Sequence, residues 1–524
     1  MASNPFNTVL TDRPRRNNFN LSHDVKMSFK MGRLYPTCVL DVLPGDHFNI
    51  GVENMLRFAP LIAPVMHDIR VKTFWFFVPN RLLWEDWEDF ITGTDTDLVP
   101  PYITSTGGSF TESSLANYLG IPTTIPTTMR IDAMPFAAYA LIWDEWFRDQ
   151  NLGTEVFQIL TDGDNSYYDT WAAGNCFARS WEHDYFTSAL PWAQKGDSVT
   201  LPLVEDTNVL VGMSGTNTHT LLRDAADGTV HSTGGTVSEG GGTGRVKVGA
   251  DEVMFDPNGT LSVNINEEAV SINTLREAFR MQEFLELDAL GGTRYTETIF
   301  AHFGVRSRDA RLQRPELVGS FSGRMVISEV LQTAPASNTG TAGTAEPLGT
   351  MGGHGISVNG GKGLNYKATE HGWLIGLINV QPKAAYQQGL ARKWSRSVRE
   401  DYFWPKFANI GEQAILNKEL YVEHTNPDDE FGYIPRYSEY RYEPCRVAGE
   451  MRSTLAHWHL GRIFDSDTAL NAGFLAADQD SPRIFAVQYE GGGEGDYQAD
   501  QIFAHIFNNI YASRLIPKYG KPIL

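Results

Sequence analysis

The chain has 524 residues, with 43 Lys and Arg against 63 Asp and Glu, and its formal net charge is -20. Hydrophobic residues make up 42% and aromatic residues 12%, a composition that indicates a globular core and excludes a disordered chain. No stretch reaches the roughly 18 uninterrupted apolar residues of a membrane span, and the N-terminus lacks the apolar core of a signal peptide. The 49 glycines and 26 prolines favour turns and long loops over a helical bundle.

The N-terminal segment 1–36 carries a local excess of positive charge. Its six basic residues outnumber two acids, Asp12 and Asp24, by four charges. An acidic protein with a basic arm can hold nucleic acid on one face and repel it elsewhere, although such clusters are often solvated surface. The predicted nucleic-acid contacts of this segment are Arg13, Arg15, Arg16, Lys26, Lys30 and Arg33.

Strand periodicity recurs along the whole chain. In DIRVKTFWFFV (68–78), apolar residues and a threonine occupy every second position, and the last residues are apolar on both faces. This pattern predicts a strand whose end is buried on both sides. Similar runs of β-forming residues lie at 25–31, 37–43, 198–204, 322–331, 369–380, 431–442 and 482–489.

Three segments show helical periodicity. The first, NRLLWEDWEDFITG (80–93), has Asn80 as a candidate N-cap and Gly93 as its stop. Further helices are predicted over 131–150 and over 271–292, and a glycine pair ends the last of these.

The tryptophans and acids of segment 80–93 allow two interpretations. Glycoside hydrolases stack rings on sugars and use two carboxylates for acid–base chemistry. The spacing here instead puts the rings on one apolar stripe and the acids on the opposite, wet face. A core stripe with solvent or a partner outside is therefore the preferred interpretation. The residues concerned are Trp84 and Trp87 on the stripe and Glu85 and Glu88 on the wet face.

Two glycine-rich segments, 205–262 and 332–366, are expected to be excursions from the folded domain. The first resumes strand alternation near residue 245, so a small hairpin is expected there. Strands scattered over the whole length, with helices set between them, argue against alternating βαβ units. They favour a mainly β, antiparallel sandwich with long insertions, and a jelly roll fits that description.

No complete catalytic or metal site is found. The glycine-rich segment 355–363 lacks the spacing of a phosphate loop and is predicted to be a loop. His457 and His459 would share a strand face, but a third zinc ligand is missing. Cys38 and Cys176, like Cys445, have no nearby cysteine and are expected to be reduced, buried apolar groups. We expect no enzyme activity, no cofactor and no metal.

Arginines interleave with aromatic residues in YQQGLARKWSRSVREDYFW (386–404). Such a surface can hold single-stranded nucleic acid, with bases on rings and phosphates on guanidinium groups. Protein interfaces are also rich in arginine and aromatic residues, so both interpretations stay open. The predicted nucleic-acid contacts here are Arg392, Lys393, Arg396 and Arg399.

Blocks of sequence in order along the chain resemble one known family. They include FWFFVPNRLLWEDWEDFITG (74–93), GGTRYTE (291–297), ARLQRPELVG (310–319) and FWPKFANIGEQAILNKELY (403–421), and the matching blocks cover most of the chain. The resemblance is to the major capsid proteins of the Microviridae, of the gokushovirus type. It implies a single eight-stranded jelly roll with large insertions, and a T=1 shell of sixty copies around circular single-stranded DNA.

The same resemblance implies partners and a layout of the chain. The partners are other copies, a small basic DNA-binding virion protein, a DNA pilot protein and a host cell-surface receptor. Residues 1–36 would form an inward-facing arm and 37–524 the jelly-roll domain, in virions assembled in the host cytoplasm. The resemblance implies a surface protrusion formed by an insertion; segment 205–262, chosen by its composition, is the candidate, and 332–366 is a second variable loop that competes for that role. Trp84, Trp87, Glu85 and Glu88 would face a neighbouring subunit. The alternative is a secreted β-sandwich carbohydrate-binding protein or glycoside hydrolase.

Overall fold

A computed structural model describes most of the chain as two compact units. One unit comprises Met1–Ala193 with Gly291–Leu524, and the other comprises Gln194–Leu290. The structure describes residues 16–95, 97–105, 110–127, 129–196, 222–224, 237–240, 245–248, 251–255, 272–291, 313–331, 351–477, 482–485 and 500–518.

The described chain is mainly β, and its paired strands are antiparallel. The strands are β1 (Asn17–Asn20), β2 (His23–Phe29), β3 (Tyr35–Val42), β4 (His47–Phe58), β5 (Ile69–Pro79), β6 (Tyr102–Ile103), β7 (Ile131–Asp132), β8 (Leu222–Asp224), β9 (Val237–Gly240), β10 (Arg245–Val248), β11 (Asp251–Phe255), β12 (Glu316–Arg324), β13 (Val326–Leu331), β14 (Met351–Lys367), β15 (Gly372–Pro382), β16 (Glu412–Leu416), β17 (Glu430–Pro435) and β18 (Ile502–Arg514).

Helices are set between these strands. The α-helices are α1 (Trp87–Thr92), α2 (Leu115–Tyr118), α3 (Met134–Trp146), α4 (Ser166–Ala173), α5 (Ile272–Gly291), α6 (Asn417–Leu420) and α7 (Ala472–Leu475). Short 3-10 helices span Asn80–Leu82, Arg392–Trp394, Arg399–Asp401, Pro405–Phe407, Ser438–Tyr440, Gly449–Arg452, Ala456–Trp458 and Pro482–Ile484.

Two large sheets dominate the first unit. The first sheet has the order β1–β18–β4–β14–β13, and β2 also pairs with β18. The second sheet has the order β12–β5–β15–β3. Strand β18 pairs with β4 from Ile502↔Phe58 to Ser513↔His47, so one of the last segments of the chain lies inside the first sheet, between β4 and the edge strands β1 and β2.

The two sheets share a hydrophobic core. Residues of β4 and β18 alternate between buried and exposed positions, as expected when one face of a sheet is covered. Val52 of β4 and Ile506 of β18 belong to the same buried cluster as Val71 of β5. Between the sheets, the buried Asn54 amide donates a 3.0 Å hydrogen bond to the Thr73 hydroxyl, which satisfies two polar groups inside the core.

Strand β5 confirms the prediction made from segment 68–78. Its residues alternate between buried and partly exposed at first and are all buried from Trp75 onward. The central place of β5 between β12 and β15 explains this pattern, because both faces of its C-terminal half are covered. The strand predicted at 482–489 is wrong for its first residues, which form the 3-10 helix Pro482–Ile484. The predicted strand at 198–204 lies outside the described residues.

The helix predicted over 80–93 is shorter than its pattern suggested. A 3-10 turn covers Asn80–Leu82, and α1 begins only at Trp87. Asn80 is wrong as an N-cap, because Pro79 precedes the 3-10 turn and no side-chain cap is made. Gly93 is confirmed as the stop: it has a φ of 70° and its N–H reaches the last carbonyls of the helix.

The segment 332–366 differs from the loop that its glycines suggested. Residues 351–366 belong to β14, a long strand of the first sheet, and 332–350 lie outside the described residues. Two of the glycines in β14 are required by close packing rather than by turns. A Cβ on Gly353 would lie 2.4 Å from the Ala63 carbonyl oxygen, and one on Gly361 would lie 2.0 Å from the Phe321 ring.

The second unit has its own small sheet and a long helix. The sheet order is β8–β11–β10–β9, with β10 and β11 paired antiparallel at Val246↔Val253. This pairing confirms the hairpin expected near residue 245. The helix predicted over 271–292 is confirmed as α5, and that predicted over 131–150 is α3 of the first unit.

Candidate nucleic-acid and subunit-contact surfaces

The N-terminal basic segment is built into the first sheet from residue 17 onward. Strands β1 and β2 pair with β18 along its outer edge, and Arg13 and Arg15 lie outside the described residues. The exposed Arg16 side chain donates hydrogen bonds to the carbonyl oxygens of Gly45 and Ser513, the latter at 3.4 Å. Arg16 therefore joins the start of β1 to the end of β18 and to the turn before β4.

The other cations of this segment differ in their exposure. The Lys26 side chain is 75% exposed and its ammonium lies 3.9 Å from the Asp24 carboxylate. Lys30 is only partly exposed. The partly buried Arg33 donates a 2.7 Å hydrogen bond to the Cys176 carbonyl oxygen. Lys26 is thus the most accessible of these three cations, whereas Arg33 fastens the chain after β2 to the loop after α4.

Arg392 contacts a carbonyl oxygen and a buried carboxylate of its own chain. Its guanidinium donates a 2.7 Å hydrogen bond to the Ala414 carbonyl oxygen and lies 3.6 Å from the Glu419 carboxylate. The Glu419 side chain is only 3% exposed, and burial raises its pKa while Arg392 opposes that rise. A buried carboxylate needs such a partner, so this arginine is engaged within its own chain.

The three remaining predicted cations lie against rings. The guanidinium of Arg396 is 4.6 Å from the centre of the Tyr440 ring and 5.2 Å from that of Tyr402. Arg399 lies 6.0 Å from the centre of the Trp404 ring and 2.9 Å from the Glu400 carboxylate. Lys393 is paired with Glu443 and lies 5.9 Å from the Trp394 ring. These are cation–π contacts.

Together these residues form a surface rich in exposed rings. We call residues 393–407 with 436–440 the Arg-aromatic surface. Its cations are interleaved with carboxylates, which reduces its attraction for phosphates. Exposed rings with few unpaired charges are typical of protein interfaces, so the arrangement favours a protein contact over a nucleic-acid contact. The exposed fractions are 72% for Trp394, 54% for Tyr402, 51% for Phe403, 47% for Trp404 and 50% for Tyr440.

The tryptophans and acids of segment 80–93 separate as their spacing predicted. Trp84 is fully buried, and its ring centre lies 5.2 Å from that of Phe90. Trp87 is partly buried against the same core, whereas Glu85 and Glu88 are exposed. Trp84 therefore packs within its own chain, where it can neither stack on a sugar nor touch a neighbouring subunit. The exposed acids and the edge of Trp87 remain available for contact.

A cavity of about 380 Å³ beside the Arg-aromatic surface was not foreseen from the sequence. Its wall includes the rings of Tyr185, Phe186 and Tyr386 and the carboxylate of Glu419. The Tyr185 hydroxyl donates a 3.0 Å hydrogen bond to Glu419. Tyr185 lies more than 200 positions before Tyr386 and Glu419 in the sequence, so no local sequence motif predicts this cavity.

The histidine and cysteine residues give no metal site in the described part of the chain. His459 is 3% exposed, its Nε2 lies 2.8 Å from the Met451 carbonyl oxygen, and its Nδ1 accepts from the Gly461 N–H. His457 lies in a 3-10 helix, so the two histidines do not share a strand face. Among the described residues, no group of three or more His, Cys, Asp or Glu side chains is arranged to hold a metal ion.

The three cysteines are free thiols. Cys38 and Cys176 are fully buried, and burial raises the pKa of both thiols well above its usual value. Cys445 is only partly buried. The expectation of reduced, buried groups is thus confirmed for the first two.

Among the described helices, none is long and apolar enough to cross a membrane.

Comparison with known proteins places the chain among phage capsid proteins. The model of the family described as "Capsid protein (F protein)" matches residues 7–524. The chain is 37% identical over 499 residues to capsid protein VP1 of Bdellovibrio phage phiMH2K, and the match covers 90% of each protein. It is 32% identical to capsid protein VP1 of Chlamydia phage 1, covering 100% of this chain and 98% of that protein.

A third relative, capsid protein VP1 of Spiroplasma virus 4, is 31% identical, and the match covers 97% of this chain and 95% of the relative. These full-length matches agree with the ordered sequence blocks and with a mainly β structure. They also assign a structural, non-enzymatic role, located in the virion capsid. The chain belongs to the F-protein family of phage capsid proteins and is a major capsid protein of the gokushovirus type.

Proposed function

We propose that sixty copies of this chain assemble in the host cytoplasm into a T=1 icosahedral shell that encloses circular single-stranded DNA. The observation that carries this proposal is the match to phage capsid proteins over almost the whole chain. A shell protein must cover much of its surface with other copies, and the exposed rings of the Arg-aromatic surface supply one such area.

The order of the strands supports a jelly roll as the building block of this shell. If β1 with β2 counts as the first strand and β13 is set aside, the other seven strands of the two large sheets are, in chain order, β3, β4, β5, β12, β14, β15 and β18. The first then pairs with the eighth, the second with the seventh, the third with the sixth and the fourth with the fifth. This nested antiparallel pairing is the pattern of an eight-stranded jelly roll, and β13 extends its edge.

Two long insertions leave this framework. Residues 80–315 separate the fourth strand from the fifth, and residues 383–501 separate the seventh from the eighth. The first insertion contains the second compact unit, Gln194–Leu290. The second insertion contains the Arg-aromatic surface. The framework thus fixes the ends of both insertions while their sequences are free to serve contacts.

Segment 205–262 is our candidate for a surface protrusion that meets a host receptor. It falls within the separately compact second unit, which has its own four-stranded sheet. The competing segment 332–366 is less suitable, because its second half is committed to β14. A density map of the particle in which 205–262 lies flat or inside the shell would rule out this assignment.

The genome requires local positive charge on an acidic protein. A net charge of -20 per chain repels DNA on average, so contact needs basic surface, a basic partner, or both. The basic segment 1–36, with Arg13 and Arg15 before the first strand and Lys26 exposed on β2, is the proposed inward element. A small basic DNA-binding protein would supply the rest of the positive charge, and a DNA pilot protein is proposed as a further partner.

Subunit contacts are proposed at two oppositely charged places. The Arg-aromatic surface presents rings and the guanidinium of Arg399, which is 81% exposed. Glu85 and Glu88 present carboxylates beside the edge of Trp87. Such complementary surfaces on one chain would join head to tail and close into rings around a symmetry axis.

The proposal is tested by the mass of particles formed by the purified full-length chain. Charge-detection mass spectrometry should give an empty-shell mass of about sixty times the 58.4 kDa chain. Particles recovered from infected cells should be heavier by the mass of one single-stranded genome. Monomers or small oligomers as the final state of the chain would contradict the proposal.

A further inference from the structure

The outer face of the first sheet has no covering element in the described part of the chain. Even-numbered residues of β18 and β4 point into the core, so the odd-numbered ones point outward. The pairing register places the outward positions of neighbouring strands side by side. We call this surface, formed by the outward residues of β1, β2, β18, β4 and β14, the open sheet face.

A row of aromatic rings runs along the middle of the open sheet face. Phe503 is 50% exposed, Tyr511 is 51% exposed, and Phe507 between them is partly exposed. They occupy every fourth position of β18, so neighbouring rings are roughly 13 Å apart along the strand. Strands β1 and β2 lie on one side of this row and β4 on the other.

Positive charge surrounds the rings. The outward residues include four bases, Lys26, Arg57, Lys362 and Lys367, and two acids, Asp24 and Glu53. This excess contrasts with the net charge of -20 for the whole chain. Lys362 lies 2.9 Å from Glu53, whereas Arg57 and Lys367 form no ion pair with any residue that the structure describes.

The remaining outward positions are mostly small or uncharged polar residues close to the rings. Asn49 pairs with Tyr511 across the ladder, and Asn20 pairs with Tyr511 on its other side. Asn49 donates a 2.9 Å hydrogen bond to Asn365 on β14. Amide groups of this kind can bond both base edges and phosphate oxygens.

Rings on a sheet, with unpaired cations beside them, are the arrangement that binds single strands without sequence preference. Bases stack on the rings while the cations meet the phosphates. The Arg-aromatic surface differs in this respect, because three of its cations, Lys393, Arg396 and Arg399, are engaged by carboxylates or rings. We propose that the open sheet face of each capsid subunit binds single-stranded DNA through Phe503, Phe507 and Tyr511, with Arg57 and Lys367 contacting phosphates.

This inference rests on the proposed enclosure of single-stranded DNA and assigns that contact to particular residues. Its first test uses charge. The double variant Arg57→Gln/Lys367→Gln removes two phosphate contacts but leaves the rings. The control Arg324→Gln/Arg280→Gln removes the same charge from exposed positions elsewhere, on β12 and α5. Binding of fluorescent oligo(dT) by the full-length chain is measured over a range of salt concentrations.

The open-face double variant should bind oligo(dT) more weakly, and its slope of log K against log salt should fall by about 1.4, since each contact to a single strand contributes about 0.7. The control should keep the wild-type slope. Equal slopes for the two variants would overturn the inference.

The second test uses the rings. Phe503→Leu and Tyr511→Leu keep an apolar side chain but remove the stacking surface, so the sheet should fold normally. Each change should weaken oligo(dT) binding at least about five-fold and lower the DNA content of purified particles. The matched control is Tyr402→Leu on the Arg-aromatic surface, which is similarly exposed and should leave oligo(dT) affinity unchanged.

Two further outcomes separate the inference from the proposed function. If the open-face ring variants fail to assemble yet bind oligo(dT) as the wild type does, the face is a contact between copies and the inference is wrong. If wild-type particles form but neither the particles nor the free chain binds single-stranded DNA, the proposed genome contact fails as well.

Discussion

At the scale of single residues, adjacent side chains in segment 80–93 differ in burial. Trp84 is fully buried and packs against Phe90, while the adjacent Glu85 is exposed. The sequence pattern was sufficient to predict this division, because three- and four-residue spacing of the apolar residues indicated a buried stripe, although Trp84 and Glu85 lie between the 3-10 turn and α1 rather than within a helix. It could not show that Trp84 is too deep for any contact outside its own chain.

Replacing Trp84 should therefore affect folding rather than binding. Trp84→Ala should lower the free energy of unfolding by about 3–5 kcal/mol, because it leaves a large cavity in the core. Glu85→Gln and Glu88→Gln should each change it by less than about 0.5 kcal/mol. Denaturant unfolding of the unassembled chain measures all three. A Trp84 variant as stable as the glutamine variants would contradict the buried position.

The buried His459 and the partly buried His67 should make the fold sensitive to acid. Burial lowers the pKa of both His67 and His459 below 6.5, so the unfolded chain binds more protons than the folded chain as the pH falls through that value. Their contribution to stability is present above pH 6.5 and is lost on acidification below it.

The prediction is checked by unfolding the wild type and His459→Gln between pH 5 and pH 7. The wild type should lose more stability on acidification than the variant, because glutamine cannot take up the proton. A parallel loss in both proteins would show that His459 does not contribute to the acid sensitivity.

At the scale of elements, glycine content misled the sequence interpretation of β14. Glycine-rich sequence is typical of loops, but a strand also needs glycine where another backbone or a ring lies against it. A Cβ added at Gly353 would lie 2.4 Å from the Ala63 carbonyl oxygen, whereas a Cβ added at Gly360 in the same strand would have no neighbouring atom closer than 3.5 Å. Contacts of this type join segments far apart in the chain, so no local pattern reveals them.

These two glycines form a matched pair for mutation. Gly353→Ala should destabilise the chain by about 1–3 kcal/mol, since its Cβ would lie 2.4 Å from a backbone oxygen. Gly360→Ala should be neutral or stabilising by up to about 1 kcal/mol. Thermal unfolding of both variants measures the difference in stability. Similar midpoints for the two would contradict the close approach of β14 to residue 63.

Arg392 was predicted to bind nucleic acid, and its contacts predict a structural effect instead. Arg392→Ala leaves the buried Glu419 carboxylate without its charged partner, which should cost about 3–5 kcal/mol of stability. Lys393→Ala, at a more exposed pair, should cost less than about 1 kcal/mol. Unfolding and oligo(dT) binding are measured together. A loss of DNA affinity in Arg392→Ala without a loss of stability would restore the nucleic-acid role.

At the scale of the whole molecule, strand periodicity identified β3, β5 and β15 but not their partners. The pairing Asn17↔Arg514 joins the two ends of the chain, and a repeat of two residues carries no information about such distant neighbours. The family resemblance supplied the expectation of a jelly roll, which stays a proposal that the nested pairing supports. The open sheet face also emerges only from pairing, because its cations and rings come from separate strands.

The most direct test of the account is an icosahedral reconstruction, by electron cryomicroscopy, of DNA-filled particles of this chain. We predict sixty copies in a T=1 lattice, each with the eight strands in nested order, the open sheet face toward the genome and residues 205–262 outside. A shell with the open sheet face buried between subunits or turned outward would contradict the assignment of the DNA contact. Absence of a closed shell would contradict the account as a whole.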